Sequence, residues 1–139
     1  MYVWYFPMAL DSVSTFVRGH RHYWLWAIVW TSGPDPDEST FLGVSMSGDH
    51  GITKQLRPKS KYVFNETTVL LKSHEGFFST RQGLELTKKS GGTQNLVTWD
   101  QLTPEARTSL SSLFRTEVTA NPPLQDRQYF DILKKAYLW

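Results

Sequence analysis

Apolar and aromatic residues are concentrated in the first two thirds of the chain, in short runs that are typical of β-strands. The segment YVWYF, Tyr2 to Phe6, is apolar at every position, which predicts a strand that is buried on both faces and limited in length by Pro7. The run Tyr23 to Trp30 is also apolar throughout, so periodicity alone does not separate strand from helix. Its tryptophans and β-branched residues favour a strand, and Gly19 and the segment Ser32 to Pro34 bound it.

The residues just before this run are polar, and strand geometry gives them a defined direction. Alternate side chains of a strand point to the same face. We therefore predict that Trp26, Ile28 and Trp30 lie in the core, while the polar residues emerge at the outer end of the strand. The predicted face comprises Arg18, His20, His22, Trp24, Trp26, Ile28 and Trp30.

Further strands are predicted after an acidic connection, Pro34 to Glu38. The pattern continues in FLGVSM, KYVF, TTVLLK, FFSTRQ, GLELTKK and QNLVTW. Ser73 to Gly76 and Ser90 to Gly92 have the length and composition of hairpin turns. By contrast, Ser47 to Lys61 holds two glycines, a proline and four basic residues, which indicates a mobile loop.

The last part of the chain changes to a helical period. Thr103 is a candidate N-cap, with Pro104 at the first helical position and Glu105 in the first turn. Residues 121–123 end this helix, and a last helix is predicted from Leu124 or Gln125 towards Trp139. The apolar face of the first helix comprises Ala106, Leu110, Leu113, Phe114 and Val118.

The predicted fold is α+β: an antiparallel β-sheet meander of about six or seven strands with one or two C-terminal helices packed on it. We expect residues 1–139 to form a single globular domain. Composition agrees with a folded chain, since 40% of the residues are hydrophobic and 20% are charged. The net charge of +2 is too small to indicate a polyanionic partner by itself.

The sequence also bears on location. Beyond the N-terminal segment, the longest apolar run has eight residues, whereas a membrane helix needs about twenty, so no membrane partner is expected. The N-terminal segment lacks a basic region and contains Pro7, which argues against a signal peptide. The chain has no cysteine, which excludes disulfides and thiolate sites and favours a reducing compartment. We therefore expect a cytoplasmic protein.

Two histidines offer the main candidate chemistry. His20 and His22 would point the same way from a strand and could share a metal ion, in a metal-dependent hydrolase. A third ligand would have to come from a loop or a hairpin tip, where nothing in the sequence fixes convergence, so no metal site is favoured. The candidate third ligands are Asp49, His50, His74 and Glu75.

Other catalytic patterns are weaker. The segment SGDHG, Ser47 to Gly51, holds a serine, an aspartate and a histidine, but neighbours in a glycine-flanked turn seldom form a triad. The nucleophile-elbow, zinc-protease, Walker and dinucleotide-binding motifs are all absent from the sequence. An enzyme built on these common plans is disfavoured.

Basic and aromatic residues supply a candidate binding surface. Lysines and arginines could contact phosphates while Tyr23 or Trp24 stack on unpaired bases, which suggests a single-stranded nucleic-acid-binding domain as one alternative. We favour a small non-enzymatic binding protein of the inhibitor, immunity or phage-accessory type, acting through surface loops. Its expected partner is another protein or a small ligand, and no cofactor is expected. The candidate binding residues are Arg18, His20, Arg21, His22, Lys54, Arg57, Lys59 and Lys61.

Overall fold

The computed structural model describes residues 1–10, 19–35, 37–75, 82–112 and 121–139. It confirms the α+β class, with antiparallel strands followed by two C-terminal helices, α1 (Pro104–Ser112) and α2 (Asp126–Ala136). Short 3-10 turns lie at Ser60–Tyr62 and Trp99–Gln101. The strands are β1 (Tyr2–Leu10), β2 (Gly19–Thr31), β3 (Phe41–Gly48), β4 (Gly51–Leu56), β5 (Val63–Phe64), β6 (Thr68–Val69), β7 (Leu71–Glu75) and β8 (Gln82–Leu86).

The predicted antiparallel meander is divided among three sheets in the described ranges, and the main sheet is the largest. Its four strands pair in the order β1-β2-β3-β4, and every pair is antiparallel. Two smaller sheets, β5-β6 and β7-β8, follow along the chain. The central strand β2 has thirteen residues, so its first part extends beyond the end of β3 and pairs with β1 alone.

β2 is buried on both faces, which explains its unbroken apolar run. On the first face, Tyr23, Leu25 and Ala27 pack with Val44 and Leu84. On the opposite face, which we call the helix face, the packing involves Trp26, Ile28 and Ala136. The predicted core positions Trp26 and Ile28 are buried, and Trp30 packs against them while partly exposed.

The β7-β8 hairpin covers the first face. Leu84 of β8 is buried in the cluster there, and the Tyr23 hydroxyl donates a hydrogen bond to the Gln82 carbonyl, 2.7 Å away. Gly83 allows β8 to lie close to the backbone of Asp49, because a Cβ at position 83 would be only 2.7 Å from the Asp49 backbone nitrogen. The hairpin therefore sits over the β3-β4 turn.

α2 covers the helix face through a polar anchor. Ser45 is fully buried, and its hydroxyl donates to the Ala136 carbonyl at 2.5 Å while accepting from the Trp30 indole N–H at 3.0 Å. The Lys54 ammonium donates to the Tyr137 carbonyl at 2.6 Å. The bonds from Ser45 and Lys54 satisfy carbonyl groups that a helix leaves unpaired at its C-terminus. Lys54 also places a positive charge at the negative end of the helix dipole.

The structure corrects the mobile loop predicted from Ser47 to Lys61. Residues 51–56 form β4, which joins β3 through the two-residue turn Asp49–His50. Gly51 follows that turn with a φ of 131°, a conformation that glycine adopts readily. β4 is an edge strand whose side chains, Ile52 excepted, are exposed, so hydrophobic periodicity could not reveal it.

The structure also differs from the two predicted hairpins. Ser73, His74 and Glu75 belong to β7, which pairs with β8; residues 76–81, with most of FFSTRQ, lie outside the described ranges. QNLVTW forms no strand, because its apolar residues Leu96 and Val97 are exposed and meet no sheet face.

The prediction for the first helix is confirmed at its start. The Thr103 hydroxyl accepts a hydrogen bond from the Ala106 N–H at 3.3 Å, and Pro104 is the first helical residue. The helix is described as far as Ser112, so the predicted apolar positions Leu113, Phe114 and Val118 lie outside the described ranges.

We predict that Ser45→Ala lowers the free energy of unfolding by about 2–4 kcal/mol, because it leaves the Ala136 carbonyl buried without a partner and removes the acceptor of the partly buried Trp30 N–H. Ser109→Ala, on the exposed surface of α1, is the matched control and should change it by less than about 0.5 kcal/mol. Chemical denaturation measures both. Equal stabilities of the two variants would contradict the anchoring role of Ser45.

Candidate functional site

Three rings form a partly exposed group on the helix face, at the end of β2 that extends beyond β3. Tyr5 lies directly opposite Trp24 in the β1-β2 register, with their ring centroids 4.7 Å apart. The Tyr5 hydroxyl is 2.7 Å from His22 Nδ1, and these two rings are stacked with centroids 6.0 Å apart. Tyr5 is 45% exposed, and the other two side chains are intermediate. We call Tyr5, His22 and Trp24 the aromatic cluster.

The backbone at His22 is strained. Its φ is 63°, in the left-handed region that non-glycine residues seldom adopt. The pairs on either side, Phe6 with Tyr23 and Met8 with Arg21, place Pro7 opposite His22. Proline has no N–H to donate, so the ladder lacks that bond where the strand distorts. Strain of this kind clusters at binding and catalytic sites.

The aromatic cluster can bind a cation or an apolar ring face. The faces of Tyr and Trp attract positive charge through the ring quadrupole. The Trp24 indole N–H is buried and has no hydrogen-bond partner among the described residues, which marks an unsatisfied polar group beside the site. The cluster therefore places the partly exposed rings of a tyrosine and a tryptophan beside a strained residue at the end of a strand.

One of the binding residues proposed from the sequence lies in the aromatic cluster. His22 is in the aromatic cluster, and Arg21 beside it is exposed. Arg18 and the side chain of His20 lie outside the described part of the chain. Tyr5 was missed as a site residue, because its position opposite Trp24 depends on the β1-β2 register, which the sequence does not show.

The second predicted group of basic residues lies elsewhere. Lys54 anchors the end of α2, as described above. Arg57 bonds through its N–H to the Leu42 carbonyl at 2.9 Å, near the Thr31 end of β2 and thus at the opposite end of the sheet from His22. Lys59 and Lys61 are exposed, and the Lys61 ammonium lies 4.9 Å from the centre of the Tyr62 ring. The two predicted groups do not form one surface.

The remaining candidate catalytic residues do not assemble. In the ranges that the structure describes, no three His, Asp or Glu side chains are close enough together to hold a metal ion. His50 Nε2 lies 3.5 Å from Asp49 Oδ2 in an exposed turn, and His74 has a buried, unbonded Nδ1. The Ser47 hydroxyl accepts from the Trp26 N–H at 3.0 Å and bonds the Trp26 carbonyl, so it connects two strands.

Glu85 of β8 has a lowered pKa, but it lies outside the aromatic cluster. Lys72 donates a hydrogen bond to the Glu85 carboxylate across the β7-β8 pair, at 2.6 Å. This bond holds the pKa of Glu85 below its ordinary value. The pair is exposed, so we assign it no large role in stability.

Comparison with known proteins identifies the family. Residues 1–136 match the family model of the necrosis inducing protein NPP1. The chain belongs to this family. It is 52% identical over 139 residues to NLP effector protein 10 of Plasmopara viticola, covering 99% of this chain and 51% of that protein. It is 37% identical over 132 residues to the necrosis-inducing protein NPP1 of Phytophthora cinnamomi, covering 91% of this chain and 51% of that protein. The chain thus spans about half the length of these relatives.

Solved structures agree with this assignment. The crystal structure of the non-toxic protein HaNLP3 has a TM-score of 0.84 and 30% identity, covering 99% of this chain and 61% of that one. NLPPya in complex with glucosamine gives a TM-score of 0.81 and 26% identity, with coverage of 99% and 61%. NLPPya in complex with mannosamine gives 0.82 and 26%, with coverage of 99% and 60%. Both NLPPya ligands are amino sugars.

The family corrects two expectations and gives no support to a third. The cytoplasmic location is wrong, because the relatives are effector and necrosis-inducing proteins of Plasmopara and Phytophthora. The inhibitor, immunity or phage-accessory type is also wrong, although a non-enzymatic interaction protein is compatible with the family. The single-stranded nucleic-acid alternative receives no support from these matches. Of the helices in the described ranges, none is long and apolar enough to cross a membrane.

We predict that His22→Gly is more stable than His22→Ala by about 1 kcal/mol, because glycine adopts the left-handed conformation without the Cβ clash. Urea denaturation of the two variants compares their midpoints directly. Thr53 of β4 is a control strand position outside the left-handed region, where the alanine variant should be the more stable one. If the alanine variant is the more stable one at position 22 as well, His22 is not held in the left-handed conformation.

Proposed function

We propose that this chain is a non-enzymatic effector that acts outside the producing cell and binds an amino-sugar unit of its target at the aromatic cluster. The observation that carries the proposal is the partly exposed group of Tyr5, His22 and Trp24, built around a strained residue. Two structures of a family member in complex with amino sugars support the ligand class.

The chemistry of the ligand suits the site. A primary amino group on a sugar is protonated near neutral pH and is therefore a cation. A cation over a tyrosine or tryptophan ring gains about 0.5–2 kcal/mol, depending on how far both groups are desolvated. The Tyr5 hydroxyl adds a polar group beside the rings, and it already contacts His22. The sugar hydroxyls can bond such groups, while the sugar's C–H face packs on the ring.

The scaffold holds this site firmly. β2 is fixed from one side by β8 and from the other by α2, so the strand end that carries the aromatic cluster continues a buried element. We also propose that residues 1–139 form one domain, since both coverings pack on the same sheet. Rigid placement lowers the entropy that binding must otherwise remove.

We predict that glucosamine and mannosamine bind more tightly than glucose and mannose, which lack the ammonium group. Tyr5→Ala should weaken amino-sugar binding roughly tenfold, which corresponds to about 1.4 kcal/mol of lost ring contact. Trp24→Ala should weaken it at least as much. Isothermal titration calorimetry measures these affinities.

Trp99→Ala is the matched control, because Trp99 is 40% exposed and lies outside β1 and β2. It should leave the affinity unchanged. Near-equal affinity for glucose and glucosamine, or wild-type affinity of the Tyr5 and Trp24 variants, would reject the aromatic cluster as the amino-sugar site.

A further inference from the structure

A cleft lies at the end of the sheet opposite the aromatic cluster, between the start of β3 and the segment that contains β5 and β6. Its volume is about 390 Å³ and it is open to solvent on one side. That volume is ample for one monosaccharide ring, since binding pockets for small molecules begin at about 300 Å³. The lining residues that matter here are the aromatic Phe41, the acidic Glu66, and the hydroxyl-bearing residues Ser39, Thr40, Ser60 and Thr67.

Backbone strain is concentrated around this cleft. Four non-glycine residues in the described ranges have positive φ, and three of them border the cleft. Arg57, at 45°, directly precedes the lining residue Pro58. Asn65, at 48°, and Glu66, at 62°, form the turn between β5 and β6. Turns with two left-handed residues prefer Asn followed by Gly. Glu66 at the second position therefore lowers the stability of the turn compared with glycine. Backbone strain at a residue that lines a cleft is typical of a binding site.

Two lining residues of the cleft offer a ligand only hydrogen-bond acceptors. The Ser39 hydroxyl already donates to the Gly33 carbonyl at 2.6 Å, so towards a ligand it can only accept. The ionised Glu66 carboxylate is likewise an acceptor. A ligand rich in O–H donors satisfies such a wall, and Phe41 provides an apolar surface for the ligand's C–H groups.

Charge around the cleft does not select a charged ligand. The acidic residues Asp37 and Glu38 precede Ser39, whereas Arg57, Lys59 and Lys61 flank the lining residues on the other side. All five side chains are exposed, so water and salt screen them. The mixed signs favour a neutral ligand.

The cleft walls are fixed by backbone hydrogen bonds. The Ser39 N–H donates to the Asp35 carbonyl at 2.9 Å, and the Thr67 N–H donates to the Phe64 carbonyl at 3.3 Å. On the remaining wall, the Tyr62 N–H donates to the Lys59 carbonyl at 2.9 Å. The lining groups are therefore held in place before any ligand arrives, which favours binding.

We propose that this cleft is a second binding site, separate from the aromatic cluster, for a neutral polyhydroxylated ligand such as a hexose unit of a glycan. Glu66 accepts hydrogen bonds from the sugar hydroxyls, and Phe41 contacts the ring. The site stands on its own residues and holds whether or not the aromatic cluster binds amino sugars. A single monosaccharide in such an open cleft is expected to bind weakly, on the order of millimolar.

The decisive variant is Glu66→Gly. Glycine is the preferred residue at this left-handed position, so the variant should keep or raise the melting temperature of the protein. It should nevertheless weaken glucose binding roughly tenfold or more, because the carboxylate acceptor is gone. Asn65→Gly is the matched control: it changes the adjacent left-handed residue of the same turn and should leave glucose binding intact.

The measurement is a titration of the full chain with glucose, followed by backbone amide NMR shifts of the residues around the cleft. Saturable shifts at Thr40, Ser60 and Thr67 in the wild type and the Asn65 variant, lost in Glu66→Gly, support the site. Shifts that persist in Glu66→Gly overturn the proposed role of the carboxylate. An absence of shifts in the wild type overturns the site itself. Tyr5→Ala should bind glucose here as the wild type does, which separates this test from that of the aromatic cluster.

Discussion

Burial of β2 on both faces is the constraint on which the rest of the structure depends. A strand that places Leu25 on one face and Trp26 on the other needs two separate coverings, and the chain supplies β8 for the first and α2 for the second. The α2 covering also brings helix carbonyl groups against the sheet, where they need donors. Ser45 of β3 and Lys54 of β4 provide these donors, so the helix that lies over the sheet explains these two polar residues.

The same constraint explains where binding groups are placed. β2 is longer than β3, so its first residues continue beyond the doubly covered region and pair with β1 alone. The aromatic cluster lies on this projecting part, where its rings are only partly covered. At the other end, the short β5-β6 pair and the start of β3 leave the polar cleft between them. The two candidate sites therefore lie at opposite ends of the main sheet, and both carry backbone strain in non-glycine residues.

Sequence patterns predicted the buried elements well and the exposed ones poorly. The apolar run of β2 and the cap at Thr103 were readable because burial and capping each demand particular residue types. β4 was missed because an exposed edge strand places few demands on its side chains. The partnership of Tyr5 with Trp24, and the turn that brings Glu66 to the cleft, depend on register and on left-handed φ values. Neither leaves a periodic signal in the sequence, so these site residues required the structure.

Amino-sugar recognition at the projecting end of β2 can be observed directly through the indole N–H signals of the tryptophans. Trp24 and Trp30 lie on the same strand, but the Trp24 N–H has no described partner while the Trp30 N–H is bonded to Ser45. In a ¹⁵N-labelled protein titrated with glucosamine, the account predicts a saturable shift of the Trp24 indole signal and none for Trp30. A saturable response at other residues with an unmoved Trp24 signal would contradict it.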